Sequence, residues 1–324
     1  MFLFILHCGF VPLRLCVKIF SMNSLLETIR PTVFIESEKL KTFLNLDLTI
    51  AAETFQHTGS FKFRAAYNLA LNVENSHIIS ASSGNFGQAL ALACKLTNKK
   101  CTVVMPETSA KVKVEAVRNY GATADLVDTK KVGRATRVEQ LMSEFPEAYK
   151  ASAYDDPFVI EGNSTLGDEL AQENFDAIIS PIGGGGLISG ISKGLCRNSH
   201  QAKLIGAEPL LANDAARSLR EGKIVVNESE PQTIADGART LSLGKHNWEI
   251  IKNGVEDIIE VSDEKIKEAV RLLFTLANLK TEPTGALSLG AILENKDKFK
   301  DQKICFVVSG GNVDAEIYRQ ILAD

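Results

Sequence analysis

The stretch Ser180-Pro181-Ile182-Gly183-Gly184-Gly185-Gly186-Leu187-Ile188-Ser189-Gly190 holds four consecutive glycines between two apolar segments. The residues at 175–179 predict a short buried strand before it, and those at 187–195 predict a helix after it. A turn without side chains leaves the backbone free to aim several N–H groups at one point, at the positive end of the following helix. The stretch therefore predicts a phosphate cradle.

Two common phosphate motifs do not fit this tetrad. The dinucleotide fingerprint needs a third glycine where Ile188 and Ser189 stand, and a P-loop needs a lysine after its last glycine. A flexible linker, or a crossing where only glycine fits, is the alternative, although linkers rarely separate an apolar strand from an apolar helix. The molecule that carries the phosphate must therefore be identified from other segments.

The composition narrows the class of protein. The chain has 324 residues, of which 45% are hydrophobic and 23% charged, as is typical of a globular protein of one or two domains. A formal net charge of −4 without a basic run argues against nucleic acid as the main partner. The six cysteines and five histidines are scattered, so neither a zinc site nor a disulfide framework is expected. A reducing, cytoplasmic location fits this cysteine usage best.

The N-terminal stretch of residues 1–20 is strongly apolar, but Arg14 and Lys18 interrupt it, so a membrane span is not predicted. It also lacks the positive start and cleavage site of a secretory signal. We expect Met22 to be the functional start and residues 1–21 to be a non-native or targeting extension, with a mitochondrial address as the alternative.

Short apolar runs alternate with helical patterns from residue 76 onward. Strands are predicted at 77–81, 101–105, 124–127, 177–180, 203–207 and 304–308, and helices at 88–96, 111–120 and 134–144. Repeated βα units predict an α/β protein with two doubly wound, open parallel-sheet domains. We expect a small domain at 66–153, inserted into a larger one formed by 22–65 and 154–324, with the ligand in the cleft between them.

A second signal is a lysine between two phenylalanines in Thr58-Gly59-Ser60-Phe61-Lys62-Phe63-Arg64, where a helix is predicted to open. Lysines prefer solvent, and burial lowers the pKa of a lysine and makes its neutral amine a nucleophile. A surface lysine that extends its ammonium group into water is the alternative for this segment taken alone.

Two further polar turns follow predicted strands. Ser82-Ser83-Gly84-Asn85-Phe86-Gly87-Gln88 offers backbone N–H groups and small polar side chains that suit a carboxylate, or else forms an ordinary N-cap turn. Val308-Ser309-Gly310-Gly311-Asn312 follows the last strand. We expect the ligand to lie beyond the carboxyl ends of the strands, where both turns begin.

These four segments, in this order and spacing, resemble the pyridoxal-phosphate enzymes of the tryptophan-synthase-like fold (fold type II). The resemblance is closest to serine/threonine dehydratases, serine racemases and 3-hydroxyaspartate dehydratases, and it runs from about residue 29 to residue 321. Glu208-Pro209 and the segments at 233–237 and 282–285 also look like segments of this family.

The resemblance implies pyridoxal 5′-phosphate as the cofactor and gives a role to each matching residue. Lys62 would bind the cofactor covalently and act as the base at Cα, Phe61 would lie against the pyridine ring, and Asn85 would bond the ring hydroxyl. Ser309 would face the pyridine nitrogen, where a neutral hydroxyl favours elimination over transamination. The remaining implied cofactor-binding residues are Gly183, Gly184, Gly185 and Gly186, which would hold the phosphate, and Gly237 and Glu282.

The resemblance also implies a substrate site. Ser82, Ser83 and Asn85 would bind the substrate carboxylate, assisted by Arg134, for which a solvated helix arginine is the alternative. Ser83 would stand opposite Lys62, where it permits racemisation, although hydroxyaspartate dehydratases also have this serine. Phe86 stands where a histidine is usual in this loop, so the resemblance does not identify the exact substrate.

A cation site is implied by the resemblance at Glu208, Ala212 and Asp214. Two carboxylates and a backbone carbonyl suit Mg²⁺ or Ca²⁺. The family is usually dimeric, so a homodimer is expected, with a small amino acid as substrate and no membrane partner.

The expected function is a pyridoxal-phosphate-dependent ammonia-lyase that converts L-threonine, L-serine or 3-hydroxyaspartate to a 2-oxo acid and ammonia. A serine racemase with dehydratase side activity is the first alternative, and a catalytically silent relative that only binds ligand is a remote one. The sequence Gly190-Ile191-Ser192-Lys193-Gly194 matches the serine-hydrolase elbow, but Ser192 falls inside a predicted helix instead of at a strand-to-helix turn.

Overall fold

A computed structural model describes residues 24–82, 84–109 and 111–323 of the chain. The predictions about the segment 1–21, the start at Met22 and the role of Ser83 fall outside these residues. Within them, ten strands form two sheets that are parallel apart from one edge strand, which confirms the predicted α/β class with two parallel-sheet domains.

The strands are β1 (Val33–Ile35), β2 (Asp47–Ala52), β3 (His77–Ala81), β4 (Lys100–Pro106), β5 (Thr123–Val127), β6 (Tyr149–Ala151), β7 (Ala177–Pro181), β8 (Lys203–Pro209), β9 (Asp257–Val261) and β10 (Lys303–Val308). Residues 24–28 are helical (α1). The other α-helices are α2 (Glu38–Leu44), α3 (Lys62–Asn72), α4 (Asn85–Leu96), α5 (Lys111–Asn119), α6 (Arg134–Glu144), α7 (Pro157–Leu170), α8 (Gly186–Arg197), α9 (Asp214–Glu221), α10 (Lys245–Gly254), α11 (Asp263–Ala277), α12 (Pro283–Glu294) and α13 (Ala315–Ala323). Short 3₁₀ helices lie at Leu210–Ala212, Asp236–Ala238 and Lys296–Phe299.

The larger sheet has the strand order β1-β2-β10-β7-β8-β9. Its strands are parallel except β1, which pairs antiparallel with β2 so that Val33 faces Ala52. An antiparallel edge strand on an otherwise parallel sheet is common. All five residues of β7 are buried, as expected for a central strand of a parallel sheet covered on both faces, and this explains why the strand begins with three apolar residues, Ala177, Ile178 and Ile179.

The smaller sheet has the order β5-β4-β3-β6, and all its strands are parallel. Its core includes side chains of α3, with Phe63 and Leu69 packed in the same cluster as Ile78 of β3 and Phe86 of α4. Helix α3 therefore runs across the predicted domain boundary between residues 65 and 66. The division into domains remains a prediction.

No helix among the described residues is long and apolar enough to cross a membrane. Cys94, Cys101, Cys196 and Cys305 are free thiols.

Candidate active site

The segment that precedes α3 lies beside the end of β10. The N–H group of Phe61 donates to the carbonyl of Ser309 at 3.0 Å, and Ser60 forms an antiparallel bridge with Gly310. Ser309 is only 2% exposed. The structure thus places Phe61 beside Ser309 at the carboxyl end of β10, with Lys62 as the next residue of the chain.

Lys62 is the first residue of α3, and its amine points into the protein. Its Nζ donates to the carbonyl of Ala153 at 2.8 Å and lies 4.9 Å from the ring centroid of Phe61 and 5.8 Å from that of Phe86. Lys62 as a whole is only partly buried, but the ammonium group is desolvated, which lowers its pKa to about 8. This environment contradicts the alternative of a surface lysine.

The start of α3 is anchored by Arg64, whose side chain is fully buried. Its guanidinium forms ion pairs with Glu53, just after β2, and with Glu169 of α7, each at 2.7 Å. It also donates to the Thr32 hydroxyl at 2.9 Å. Arg64 lies two residues after Lys62 on α3, so its ion pairs tie the start of this helix to the neighbouring segments. Removing one partner of such a buried pair would leave an uncompensated charge and destabilise the protein.

A hydrogen-bonded chain joins the β3–α4 turn to the larger sheet. Asn85 Nδ2 donates to Glu282 Oε1 at 2.7 Å, and Asn312 Nδ2 donates to Asn85 Oδ1 at 2.8 Å. Glu282 is 5% exposed, and burial raises its pKa to about 8. Two predicted cofactor residues, Asn85 and Glu282, are therefore in direct contact.

The glycine tetrad has the properties of an anion cradle. Among the described residues, none accepts a hydrogen bond from the N–H groups of Gly183–Gly186. Gly185 has φ 94°, a conformation that favours glycine. A Cβ at Gly184 would lie 2.2 Å from Cδ2 of Tyr154, so the turn has no room for a side chain. Free N–H groups at the start of α8 fit a phosphate group.

The other predicted cofactor residue lies next to this turn. A Cβ at Gly183 would lie 3.0 Å from the carbonyl oxygen of Gly237. The N–H group of Gly237 donates to the Thr284 hydroxyl at 3.0 Å. Gly237 therefore lines the tetrad, but its own N–H group already has an acceptor.

The predicted substrate residues are less closely assembled. Ser82 Oγ accepts from the N–H groups of Gly87 at 3.0 Å and of Gly84 at 3.4 Å, so it caps its own turn. Arg134 is the first residue of α6 and is half-buried, with no hydrogen bond or ion pair from its side chain to another described residue. The structure does not join Arg134 to Lys62, and its role in substrate binding remains a proposal.

Glu208 at the end of β8 and Asp214 at the start of α9 are both buried. Glu208 accepts from the N–H groups of Ala215 and Ala216, each at 2.9 Å, and Asp214 Oδ1 accepts from Asn227 Nδ2 at 2.9 Å. Burial, followed by the charge of Asp214, raises the pKa of Glu208 well above its usual range, and burial raises the pKa of Asp214 to about 7.

These two carboxylates leave one acceptor unused, since Asp214 Oδ2 is buried without a partner among the described residues. The chemistry of this pair fits a hard cation. The described residues contain no group of three or more His, Cys, Asp or Glu side chains that could hold a metal ion, so a site here would also need the carbonyl of Ala212.

Several residues at the site carry no motif in the sequence. Tyr154 covers Gly184 with its ring, and the carbonyl of Ala153 binds Lys62. Asn163 and Asn247 donate to carbonyls of the tetrad. The signal in the sequence that could have drawn attention to Tyr154 is the aromatic and acidic stretch Tyr154-Asp155-Asp156-Pro157-Phe158, which lies between the predicted strands at 124–127 and 177–180.

The serine-hydrolase alternative does not match the geometry. Ser192 lies within α8, six residues after its first residue, Gly186. It is 9% exposed, whereas the elbow presents its serine at the turn between strand and helix.

Two parallel-sheet domains, a desolvated lysine at a helix start and a glycine cradle after a central strand define a fold-type II pyridoxal-phosphate enzyme. The sequence profile described as pyridoxal-phosphate dependent enzyme matches residues 25–310, so the chain belongs to this family. The predicted family and its cofactor are thereby confirmed.

The relatives of the chain include an ammonia-lyase, a racemase and a deaminase. It is 37% identical over 284 residues to an L-threo-3-hydroxyaspartate ammonia-lyase of Pseudomonas sp, covering 84% of this chain and 87% of the relative. It is 34% identical over 308 residues to a serine racemase of Schizosaccharomyces pombe, covering 89% and 95%. The crystal structure of the threonine deaminase of T.th. superposes with a TM-score of 0.84 at 37% identity, covering 93% of this chain and 98% of that one.

Proposed function

We propose that the protein is a pyridoxal-phosphate-dependent ammonia-lyase that converts a small β-hydroxy amino acid to a 2-oxo acid and ammonia. The observation that carries this proposal is the desolvated amine of Lys62, with its pKa lowered to about 8. The similarity to the hydroxyaspartate ammonia-lyase and to the threonine deaminase supports the reaction type.

Each side chain of the site has a proposed part in this reaction. Lys62 would hold the cofactor in the resting enzyme, and its amine, once free, would take the Cα proton of the substrate. Phe61 and Phe86 flank the amine and keep water away from it, which favours its neutral form. The tetrad N–H groups bind the cofactor phosphate, with Gly237 beside them.

The cofactor, when bound, supplies an electron-withdrawing ring that acidifies the Cα proton of the amino acid. Ser309 offers the ring nitrogen a neutral hydroxyl group, which favours loss of the β-hydroxyl over transamination. Asn85 binds the ring hydroxyl, and its contact with Glu282 orients its amide.

We propose 3-hydroxyaspartate as the first substrate to test, followed by serine and threonine. The similarity to the Pseudomonas ammonia-lyase, which extends over most of both chains, supports this order. Arg134, whose guanidinium makes no ion pair with another described residue, is the proposed partner of a substrate carboxylate, together with Ser82, Ser83 and Asn85.

Serine racemisation is the second candidate function. The similarity to the Schizosaccharomyces pombe serine racemase favours it, and Ser83 is the proposed second proton carrier. Racemisation by this route needs Ser83, whereas elimination does not. A Ser83→Ala variant therefore separates the two reactions if it loses racemisation and keeps elimination.

We also propose a cation at Glu208, Ala212 and Asp214. The unpartnered Asp214 Oδ2 and the repulsion between two buried carboxylates support it. A divalent cation would relieve this repulsion and raise stability. We expect EDTA to lower the melting temperature and Mg²⁺ or Ca²⁺ to restore it. Identical melting curves with EDTA and with added cation would exclude the site.

The proposed activity is tested with the full chain loaded with pyridoxal phosphate. Each candidate amino acid is supplied separately, and 2-oxo acid release and the chirality of the remaining amino acid are measured. We expect Lys62→Ala to reduce turnover by about 10³-fold or more. Ser192→Ala is the matched control and should keep full activity. A wild-type enzyme that binds the cofactor but releases no 2-oxo acid from any of these substrates would contradict the proposal.

A further inference from the structure

Two buried asparagines contact the glycine tetrad from the side away from its N–H groups. Asn247 of α10 is fully buried, and its Nδ2 donates to the carbonyl of Gly184 at 2.8 Å. Asn163 of α7 is 1% exposed, and its Nδ2 donates to the carbonyl of Gly186 at 2.9 Å. Both amides therefore bind carbonyl groups of the tetrad.

The direction of these carbonyls determines the direction of the N–H groups. A trans peptide unit is planar, and its C=O and N–H bonds point in opposite directions. Holding the Gly184 carbonyl toward Asn247 thus turns the N–H group of Gly185 the other way. Holding the Gly186 carbonyl toward Asn163 does the same for the N–H group of Leu187.

The space for both amides comes from glycine. A Cβ at Gly185 would lie 2.9 Å from Cβ of Asn247, and a Cβ at Gly190 would lie 2.4 Å from Cβ of Asn163. In each case a side chain at the glycine would displace the asparagine. Gly185 in the turn and Gly190 in α8 therefore make room for the asparagines behind the tetrad.

Asn247 also connects the tetrad to the segment that holds the lysine. Its Nδ2 donates to the carbonyl of Tyr154 at 3.0 Å, and the preceding residue, Ala153, accepts from Lys62 Nζ at 2.8 Å. Asn247 Oδ1 has no partner among the described residues, so the two contacts of its Nδ2 set the orientation of the amide. The Gly184 carbonyl also accepts from the N–H group of Gly244 at 3.1 Å, so this backbone contact and the amide of Asn247 together fix the tetrad relative to the chain beside the reactive amine.

We propose that Asn247 is a positioning residue that aims the N–H group of Gly185 at the cofactor phosphate, and that Asn163 does the same for the N–H group of Leu187 at the start of α8. This inference rests on the proposed role of the tetrad as the phosphate site. It assigns a function to two residues that no sequence motif marks. The two asparagines act through the backbone, so neither is a catalytic residue.

The test compares two ligands that differ only in the phosphate. Pyridoxal phosphate and pyridoxal are titrated separately into the full chain stripped of cofactor, and binding is followed by absorbance. The ratio of the two affinities reports the contribution of the phosphate site alone. We expect wild-type protein to prefer pyridoxal phosphate, and Asn247→Ala to reduce this preference about tenfold through weaker binding of the phosphate form.

Asn253→Ala is the matched control, because this amide lies on the same helix and donates to the exposed carbonyl of Glu249 at 3.3 Å. It should leave the ratio unchanged. Asn163→Ala tests the same claim at the Gly186 carbonyl, and its ratio should also fall, which keeps the inference open to test should Asn247→Ala not fold.

Three results would overturn the inference, and they are distinguishable. Equal weakening of both ligands in the folded asparagine variants would show a general effect on the site. An unchanged ratio in those variants would remove the asparagines from phosphate binding while the tetrad keeps its role. A wild-type protein without preference for pyridoxal phosphate would contradict the phosphate site itself.

Discussion

Two strand-to-helix turns at the candidate active site use their backbone N–H groups in opposite ways. In the β7–α8 turn, asparagine side chains donate to the carbonyls of Gly184 and Gly186, and the N–H groups of Gly183–Gly186 find no acceptor among the described residues. In the β3–α4 turn, Ser82 Oγ accepts from Gly84 and Gly87. A glycine-containing turn before a helix therefore becomes an anion cradle only if no local side chain takes its N–H groups first.

The two turns also differ in crowding. A Cβ at Gly184 would lie 2.2 Å from the ring of Tyr154, whereas a Cβ at Gly84 would meet no atom within 4 Å. Distant segments enclose the first turn, while the second is linked to the larger sheet through Asn85. The first turn is thus rigidly packed, and the second depends on a few polar contacts.

The largest effect is expected from Gly184→Ala compared with Gly84→Ala. The added methyl at residue 184 must displace Tyr154, so we expect about 2 kcal/mol of lost stability and about 100-fold weaker cofactor binding. The same change at residue 84 should alter stability by less than about 0.5 kcal/mol. Thermal denaturation and an absorbance titration measure both. Equal losses of stability and of cofactor affinity at the two glycines would show that the two turns do not differ in crowding.

Asn85→Ala should have the next largest effect. It removes the donor to Glu282 and leaves a buried carboxyl group without this partner, at a cost of about 1–3 kcal/mol. Denaturant unfolding of the cofactor-free protein measures this cost apart from ligand binding. Asn75→Ala is a control, since that amide donates to a carbonyl at an exposed site. A stability loss no larger than that of the control would show that the contact with Glu282 is dispensable.

The pH dependence of cofactor capture tests the environment of Lys62. Only the neutral amine attacks a carbonyl carbon. With a pKa of about 8, the neutral form of Lys62 appears at a lower pH than that of an ordinary lysine. The capture rate by cofactor-free protein, followed by stopped-flow absorbance, should rise about tenfold between pH 7 and pH 9 and then level off.

A substitution at Glu282 tests the cause of this pH profile. The carboxylate of Glu282, once ionised, raises the pKa of Lys62 against the larger effect of burial. Because burial raises the pKa of Glu282 itself to about 8, this charge acts mainly in the upper part of the rise, and Glu282→Gln should shift that part to lower pH. A rate that still climbs above pH 10 in wild-type protein would show that the lysine is not desolvated.

The smallest effect is expected from Ser82→Ala. Loss of the acceptor for Gly84 and Gly87 should lower stability by about 1 kcal/mol, as for other caps. If Ser82 only caps the turn, KM for the amino acid should stay within about twofold of wild type once the protein is folded. A large rise in KM without loss of stability would instead support contact with the substrate carboxylate.

Much of the fold could be predicted because its signals are local. Strand β3 was predicted at its observed bounds, 77–81, and helix α6 at 134–144, while β7 and β10 were recognised from apolar runs. Strands β1, β2, β6 and β9 were not predicted, and of these β1 and β6 have only three residues, which carry too little pattern. Their pairing depends on neighbours brought by the rest of the chain.

The candidate site was predicted where chemistry follows from residue type and spacing. Lys62 between two phenylalanines and the glycine tetrad are visible in the sequence, and their environments in the structure agree with that interpretation. Asn247 gave no signal, because its contact with Gly184 joins residues 63 positions apart. The capping by Ser82 was one of two alternatives that the sequence left open.

The amino-acid sequence alone determined the class of the protein. It shows where the backbone is free of side chains, which lysine lies among aromatic rings, and how strands alternate with helices. These properties depend on neighbouring residues and on burial patterns that repeat along the chain. Only the tertiary structure decided the direction of each N–H group, the partner of each buried amide and the pKa of the reactive amine. Those depend on groups that folding brings together from distant segments, and a hydrogen bond or a desolvated charge exists only once they meet.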